Sequence, residues 1–248
     1  MVRFMSRVSD VRYGEIVLER ELPFDIESSW RPEIHSVPSD LVPQNCGLQD
    51  FTVEFRNKRS KKHLDEDGFN AIFVGGSAFS WVKNIAVVNA DVNFLVLYSN
   101  FVSISGVETR FTKDRSHPSS KGKQGHIAIG IHDSCDVDVS NFDIQGKWWH
   151  DLSTRASMLS VFRSGKGYDL SLDLHKTAPY MILYSNIFLG NGTKAFTTGG
   201  KSGSGMPTAA YTTFWNIRDK RYKPIRMPVR KTLENVSFAT FHANNEHA

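Results

Sequence analysis

A repeat of short strand-like runs is the feature that most constrains the fold of this chain of 248 residues. From residue 70 onward, runs rich in β-branched and aromatic residues recur, and turns rich in Gly, Asn, Ser and Asp separate them. The residues taken as equivalent strand ends lie 24, 34, 31, 21 and 31 positions apart, and they are Val74, Tyr98, His132, Arg163, Tyr184 and Trp215. A short basic unit, lengthened by polar insertions in some copies, explains these steps and indicates a solenoid.

The repeat predicts an all-β fold, a single-stranded right-handed parallel β-helix with capping segments at both ends. One coil cannot bury its apolar residues alone, whereas stacked coils share a continuous core. We expect a single domain, with an N-terminal cap region at 1–46, coils at 47–217 and a C-terminal cap or tail at 218–248. The rival fold is an antiparallel sandwich, which ranks lower because Asn-Gly hairpin turns are scarce between the runs.

Composition and charge argue against several classes of function. A net charge of +4 is too weak to indicate a nucleic-acid partner, and no apolar run is long enough to insert into a membrane. Two cysteines cannot form a cysteine zinc cluster. The glycine-rich stretch around Gly199 and Gly200 lacks the spacing of a phosphate-binding loop, which argues against an NTPase.

Paired-strand coils with Ser/Asn turns and long insertions on one side resemble the pectate-lyase-like superfamily of right-handed β-helix proteins over residues 47–217. The Asp-Asp, Gly-His-Gly and Arg-Ile-Lys motifs of its polygalacturonase branch are absent, so the resemblance stays at superfamily level. It implies a carbohydrate-active surface and an acidic polysaccharide partner, since the superfamily consists largely of polysaccharide lyases and glycoside hydrolases. It also implies an extracellular location, although the N-terminus has no apolar stretch typical of a signal peptide.

Four residues at equivalent strand ends are predicted to stack in one catalytic column: Tyr98, His132, Arg163 and Tyr184. Cleavage of a uronate polymer by β-elimination needs a neutralised carboxylate, a base for the C5 proton and an acid for the leaving oxygen. Arg163 could clamp the carboxylate, and His132 could act as the base. Either tyrosine could donate a proton or stack on a sugar ring. A solvated strand edge would carry the same residue types, and a register error of one residue would turn them inward.

A second group lies in the segment Asp-Leu-Ser-Leu-Asp-Leu-His-Lys at 169–176. Strand alternation places Asp173 and His175 on the outward face as catalytic candidates, and Lys176 follows as a substrate-binding candidate. Asp138 is expected beside Asp173, where two carboxylates could bind Ca²⁺; no other cofactor is indicated. Asp173 with Asp138 or Asp151 could also act as the acid and base of a hydrolase. The alternative is a row of carboxylates that keeps the sheet face soluble.

A third group occupies the insertion of the third coil. Four residues there and at the start of the preceding strand are substrate-binding candidates: Trp148, Trp149, His150 and His126. The indoles could stack on sugar rings, because loops on a rigid scaffold often carry binding residues. They could equally pack over the edge of a coil.

These groups lead to one main hypothesis and two alternatives. The main hypothesis is a polysaccharide lyase that cleaves a uronate-containing polymer by β-elimination. The first alternative is a glycoside hydrolase with a carboxylate pair on the same β-helix. The second is a non-catalytic glycan-binding or structural module, which the small number of coils favours.

Overall fold

The computed structural model describes residues 4–201, 203–208, 211–221, 225 and 241–242. The strands in these ranges are β1 (Val8–Arg12), β2 (Glu15–Leu18), β3 (Gly47–Glu54), β4 (Asn70–Gly75), β5 (Trp81–Val88), β6 (Val92–Leu97), β7 (Asn100–Ser105), β8 (Glu108–Arg110), β9 (Gly125–His132), β10 (Cys135–Ser140), β11 (Asp143–Ile144), β12 (Trp148–Arg155), β13 (Met158–Gly167), β14 (Leu172–Leu174), β15 (Tyr180–Phe188), β16 (Thr213–Arg218) and β17 (Phe241–His242). The helices in the same ranges are short 3₁₀ turns at Ser28–Trp30, Ser39–Leu41 and Pro118–Ser120. None of these turns has the length or the apolar character that a membrane crossing requires.

Two parallel sheets dominate the fold. Sheet I has the strand order β10-β7-β5-β8-β11-β13-β15-β16-β17, with β3 paired to β5, and sheet II has the order β14-β12-β9-β6-β4. Every pairing between named strands of these two sheets is parallel. The β1–β2 pair forms a separate antiparallel hairpin. The predicted all-β class is therefore confirmed, and the rival antiparallel sandwich is wrong.

The chain alternates between the two sheets. Strands β4, β6, β9 and β12 of sheet II are each followed directly by β5, β7, β10 and β13 of sheet I. The register of sheet II then aligns buried residues that are 22, 35, 23 and 20 positions apart in the chain, and these are Ile72, Phe94, Ile129, Leu152 and Leu172. The polar insertion between β8 and β9 accounts for the longest of these steps.

Sheet I contributes the facing row of the core. Its register aligns five buried side chains, which are Ile104, Val139, Phe162, Tyr184 and Phe214. The rings of Phe162 and Tyr184 stack with centroids 5.2 Å apart, and Tyr184 stacks on Phe214 at the same 5.2 Å. Burying each such side chain contributes about 1.5–3 kcal/mol to folding. Like residues stacked on like residues therefore stabilise successive strands without any helix between them.

The N-terminal segment packs along several strands of sheet I. The guanidinium of Arg20 pairs with the carboxylate of Asp136 at 2.7 Å, and the ring of Phe24 meets that of Tyr180 edge-on at 5.5 Å. These contacts join the predicted cap region to the body of the protein. Most of the predicted C-terminal cap, 218–248, lies outside the described residues. Cys46 is exposed and Cys135 is buried, and neither forms a disulfide in the described part of the chain.

The aromatic row of sheet I gives a direct stability test. We expect Phe162→Ala to lower the free energy of unfolding by about 3–5 kcal/mol, because it removes one ring of a buried aromatic stack. Phe73→Ala is the matched control, since that side chain is 61% exposed, and it should change the free energy of unfolding by less than about 1 kcal/mol. Urea unfolding followed by circular dichroism measures both. Equal effects of the two substitutions would show that this row is not the core.

Candidate functional site around Asp173

Asp173 is the centre of a cluster of polar side chains, although it lies on strand β14 with no exposed surface. Its Oδ2 accepts hydrogen bonds from Nδ1 of His150 at 2.6 Å and from Nδ1 of His175 at 2.9 Å. Its Oδ1 accepts one from the backbone N–H of Gly199 at 2.7 Å. Burial alone would raise the pKa of Asp173, but the hydrogen bonds and charges of the two histidines outweigh it and hold that pKa well below its usual range.

The carboxylate determines where the protons lie on both imidazoles. An ionised carboxylate only accepts hydrogen bonds, so His150 and His175 must donate to Asp173 through Nδ1–H. In the neutral rings, the Nε2 lone pairs are then left for another partner. Buried carboxylates orient catalytic and metal-binding imidazoles in this same way.

Strand alternation explains why these side chains share a face of sheet II. Leu172 and Leu174 are buried in the core, so Asp173 and His175 lie on the opposite side of β14. The parallel register pairs Asp173 with Ser153 of the neighbouring strand β12, which also carries a histidine. The alternation predicted for this segment is correct, but Asp173 is covered by imidazoles and by the loop that follows β15.

Two further histidines extend the cluster. The ring of His126, on β9, lies 5.2 Å from that of His150, and the ring of His63, in the loop between β3 and β4, lies 5.0 Å from that of His126. The ring of His175 lies 4.5 Å from that of His150. The nitrogen ligand atoms of His63, His126 and His150 all lie within 4.8 Å of one another. The ligand atoms of His150, Asp173 and His175 meet the same distance limit.

Burial and mutual repulsion keep several of these imidazoles neutral. Desolvation, followed by the charges of neighbouring histidines, lowers the pKa of His126 to about 3 and also lowers the pKa of His63. Desolvation, followed by the charge of Arg155, lowers the pKa of His132 to about 3. Nε2 of His132 lies 3.0 Å from Oγ of Ser153, which places it at the border of the cluster. At neutral pH these rings are bases and potential ligands, not cations.

An indole and a lysine lie beside the histidines. The ring of Trp149 is half-buried and lies 4.5 Å from that of His63, and the ammonium group of Lys123 lies 4.3 Å from the centroid of the same indole. Lys176 follows His175, and its Nζ donates to the carbonyl of Lys201 at 2.8 Å. The surroundings of the cluster therefore combine an aromatic face with cationic groups, which suits a ligand that is both ring-shaped and anionic.

A buried ion pair lies next to the cluster, between Asp151 and Lys194. The carboxylate of Asp151, which has no exposed surface, pairs with Nζ of Lys194 at 2.6 Å. It also accepts from the backbone N–H groups of Trp148 and Ser171 at 3.1 and 2.9 Å. These contacts join the start of β12 to the segment before β14, so they hold together the strand that carries His150 and the strand that carries Asp173. Asp151 is therefore fully engaged in structural contacts.

The predicted catalytic column does not form. His132 pairs with Leu97 and Arg155 in sheet II, whereas Arg163 and Tyr184 belong to sheet I. Tyr184 is buried in the aromatic stack, and burial raises its pKa further above the usual value. The error arises because residues 148–155, interpreted as an insertion, form strand β12. Because β12 was not recognised as a strand, the strands after it, including those with Arg163 and Tyr184, were matched to the wrong sheet.

Of the other predicted residues, Tyr98 follows β6 and adjoins His132, since its backbone N–H donates to the carbonyl of His132 at 3.4 Å. Tyr98 is 49% exposed. Asp138, in contrast, is separated from the cluster. Asp138 lies on β10 of sheet I, where its carboxylate accepts two hydrogen bonds from Arg163 at 2.7 and 2.9 Å. Asp138 and Asp173 therefore cannot share a Ca²⁺ ion, and the oxygens of Asp173 are already surrounded by hydrogen-bond donors. The carboxylate pair of Asp138 and Asp173 expected for a hydrolase is therefore divided between the two sheets. In the alternative pair, the carboxylate of Asp151 is engaged with Lys194.

The third group is divided between core and cluster. The ring of Trp148 is buried and stacks on Phe111 at 4.5 Å, so it is a core residue and not a sugar-binding platform. Trp149, the next residue, points to the histidines, as do His150 and His126. The structure thus brings together His126, Trp149, His150, Asp173 and His175 from separate candidate groups.

Sequence reasoning missed two members of the cluster. His63 lies in a charged loop without a repeat pattern, and no sequence signal connects it to the other histidines. Gly199 lies in a glycine-rich stretch whose composition suggested only a loop. Comparisons with protein-family models, with curated proteins and with solved structures found no significant match for this chain. Function must therefore be inferred from the chemistry of the cluster.

The close approach of Gly199 gives a test of the cluster's geometry. A Cβ at this position would collide with Nδ1 of His175 and lie 2.9 Å from Cε1 of His150. We expect Gly199→Ala to lower the free energy of unfolding by about 1–3 kcal/mol, because the loop must move away from Asp173. Gly203→Ala is the matched control, since nothing lies within 4 Å of its added methyl group. Urea unfolding that finds the two variants equally stable would contradict the geometry.

The buried histidines predict a pH dependence of stability. His132 has a folded-state pKa of about 3, whereas its unfolded pKa is about 6.5. The unfolded chain therefore binds a proton that the folded protein does not, and the free energy of unfolding falls as pH decreases from about 6.5 towards 3. We expect His132→Gln to reduce this slope by up to about 1.4 kcal/mol per pH unit. Urea unfolding between pH 6 and pH 4, with a chelator present, measures it, and an unchanged slope would refute the assignment.

Proposed function

We propose that the two parallel sheets are walls of a right-handed parallel β-helix. The alternation of the chain between sheets I and II supports this, because each passage through both sheets makes one coil. The aligned rows at intervals of 22, 35, 23 and 20 residues support it as well, since they match stacked coils of variable length. The right hand follows from the strong preference of connections between parallel strands.

We propose further that the protein cleaves an acidic polysaccharide by β-elimination. The observation that carries this proposal is the buried Asp173 carboxylate with two oriented imidazoles, beside a half-buried indole and a lysine. Elimination from a uronate needs one well-placed base and groups that neutralise the sugar carboxylate. It needs no pair of free carboxylates, and the described residues around Asp173 offer none.

The residues of the cluster fit distinct roles in this reaction. His175 is the proposed base, because Asp173 holds its proton on Nδ1 and leaves Nε2 to accept the C5 proton of the uronate. The electrons of that C–H bond form the C4–C5 double bond as the C4–O bond breaks. The imidazolium can then return the proton to the leaving oxygen. Lys123 and Lys176 are the proposed partners of the sugar carboxylate, and Trp149 is the proposed stacking surface for a sugar ring.

The unsaturated product provides the test of this proposal. Incubation with polygalacturonate, alginate and other uronate polymers should produce a species that absorbs in the near ultraviolet. We expect His175→Gln to lower the rate at least 100-fold, the range typical for loss of a general base. His35→Gln is the control, since His35 is exposed and its ring pairs with Glu33 outside the cluster.

Three other outcomes would each reject elimination by His175. New reducing ends without ultraviolet absorbance would indicate hydrolysis. Binding of the polymers without cleavage would indicate a glycan-binding module. An unchanged rate in His175→Gln would remove that residue from the reaction.

A further inference from the structure

Three imidazoles from distant segments of the chain converge on one point. They are those of His63 in the β3–β4 loop, His126 on β9 and His150 on β12, and their ligand nitrogens lie within 4.8 Å of one another. A tetrahedral zinc ion with Zn–N bonds of about 2.0–2.1 Å holds its nitrogens about 3.4 Å apart. Small side-chain rotations therefore bring all three nitrogens to bonding distance.

We propose that His63, His126 and His150 bind one divalent transition-metal ion of the Zn²⁺ class. Imidazole nitrogen is a preferred ligand of zinc, copper, nickel and iron, whereas Ca²⁺ and Mg²⁺ require oxygen ligands. Three histidines without a cysteine leave an open coordination position, as in metal sites that bind water or substrate. The inference concerns metal binding alone and holds whether or not the protein cleaves a polysaccharide.

Asp173 provides the hydrogen-bond acceptor that orients a metal-binding histidine in such a site. Metal-binding histidines almost always donate their second ring N–H to a carboxylate, a carbonyl or water. The 2.6 Å hydrogen bond from Nδ1 of His150 to Asp173 matches this pattern and leaves Nε2 for the ion. Asp173 itself is poorly suited as a direct ligand, because its two oxygens already accept from His150, His175 and Gly199.

A buried histidine nitrogen without a hydrogen-bond partner also supports a metal ion at this point. Within the described part of the chain, Nε2 of His63 is buried and makes no hydrogen bond. Buried polar atoms in native proteins nearly always have a partner, and an ion is one of the accepted explanations when a protein partner is missing. A metal ion held between His63, His126 and His150 would satisfy this nitrogen.

Metal titration of the full chain tests the inference. The protein is stripped with a chelator, and Zn²⁺ binding is measured by isothermal titration calorimetry; Co²⁺ serves as an optical probe, since its visible absorption reports the number of ligands. We expect one ion per chain. His63→Ala and His126→Ala should each weaken binding at least 10-fold, and Asp173→Asn should weaken it 10–100-fold through the loss of orientation.

His35→Ala is the matched control and should bind Zn²⁺ as the unaltered chain does, because this exposed histidine lies outside the cluster. The loop position of His63 makes its variant the safest one for folding, and far-ultraviolet circular dichroism verifies that each variant retains its sheets. A chain that binds no stoichiometric Zn²⁺ would overturn the proposal. Unaltered affinity in both His63→Ala and His126→Ala would overturn it as well.

Discussion

The burial of one ionised carboxylate is the constraint on which the candidate site depends. Moving a carboxylate out of water costs several kcal/mol, and only good hydrogen bonds offset that cost. Asp173 obtains them from His150, His175 and the backbone of Gly199. The three donors come from β12, from the end of β14 and from the loop after β15, so the site exists only when these segments are held together.

The parallel register of sheet II provides that assembly. Pairing of β9, β12 and β14 places His126, His150 and Asp173 on neighbouring strands although up to 47 residues separate them in the chain. On sheet I, by contrast, the outward charges are exposed to solvent. Asp138 and Arg163 form an ion pair that is half exposed, and such pairs contribute no more than about 1 kcal/mol. The covered face of sheet II therefore carries the candidate functional residues, whereas the solvated face of sheet I carries ordinary surface charges.

The sequence predicted the all-β class and the alternation of β14, because both depend on local apolar patterns. Prediction from the sequence failed where a strand has a polar pattern instead of an apolar one. Strand β12 contains Asp151, Ser153 and Thr154 in buried positions, and hydrogen bonds from other segments satisfy the carboxylate. No local signal distinguishes such a strand from a loop, so Arg163 and Tyr184 were assigned to the wrong column. His63 could not be predicted at all, since its place in the cluster depends on the path of a long loop.

The protonation pattern of the histidines tests the central claim most directly. Nitrogen-15 NMR of histidine-labelled, metal-free protein distinguishes the two tautomers of each neutral ring. The arrangement around Asp173 predicts the Nδ1–H form for His150 and for His175, and it predicts that Asp173→Asn changes both signals. If both rings instead carry their proton on Nε2, and the substitution leaves them unaffected, then the buried carboxylate does not organise this cluster.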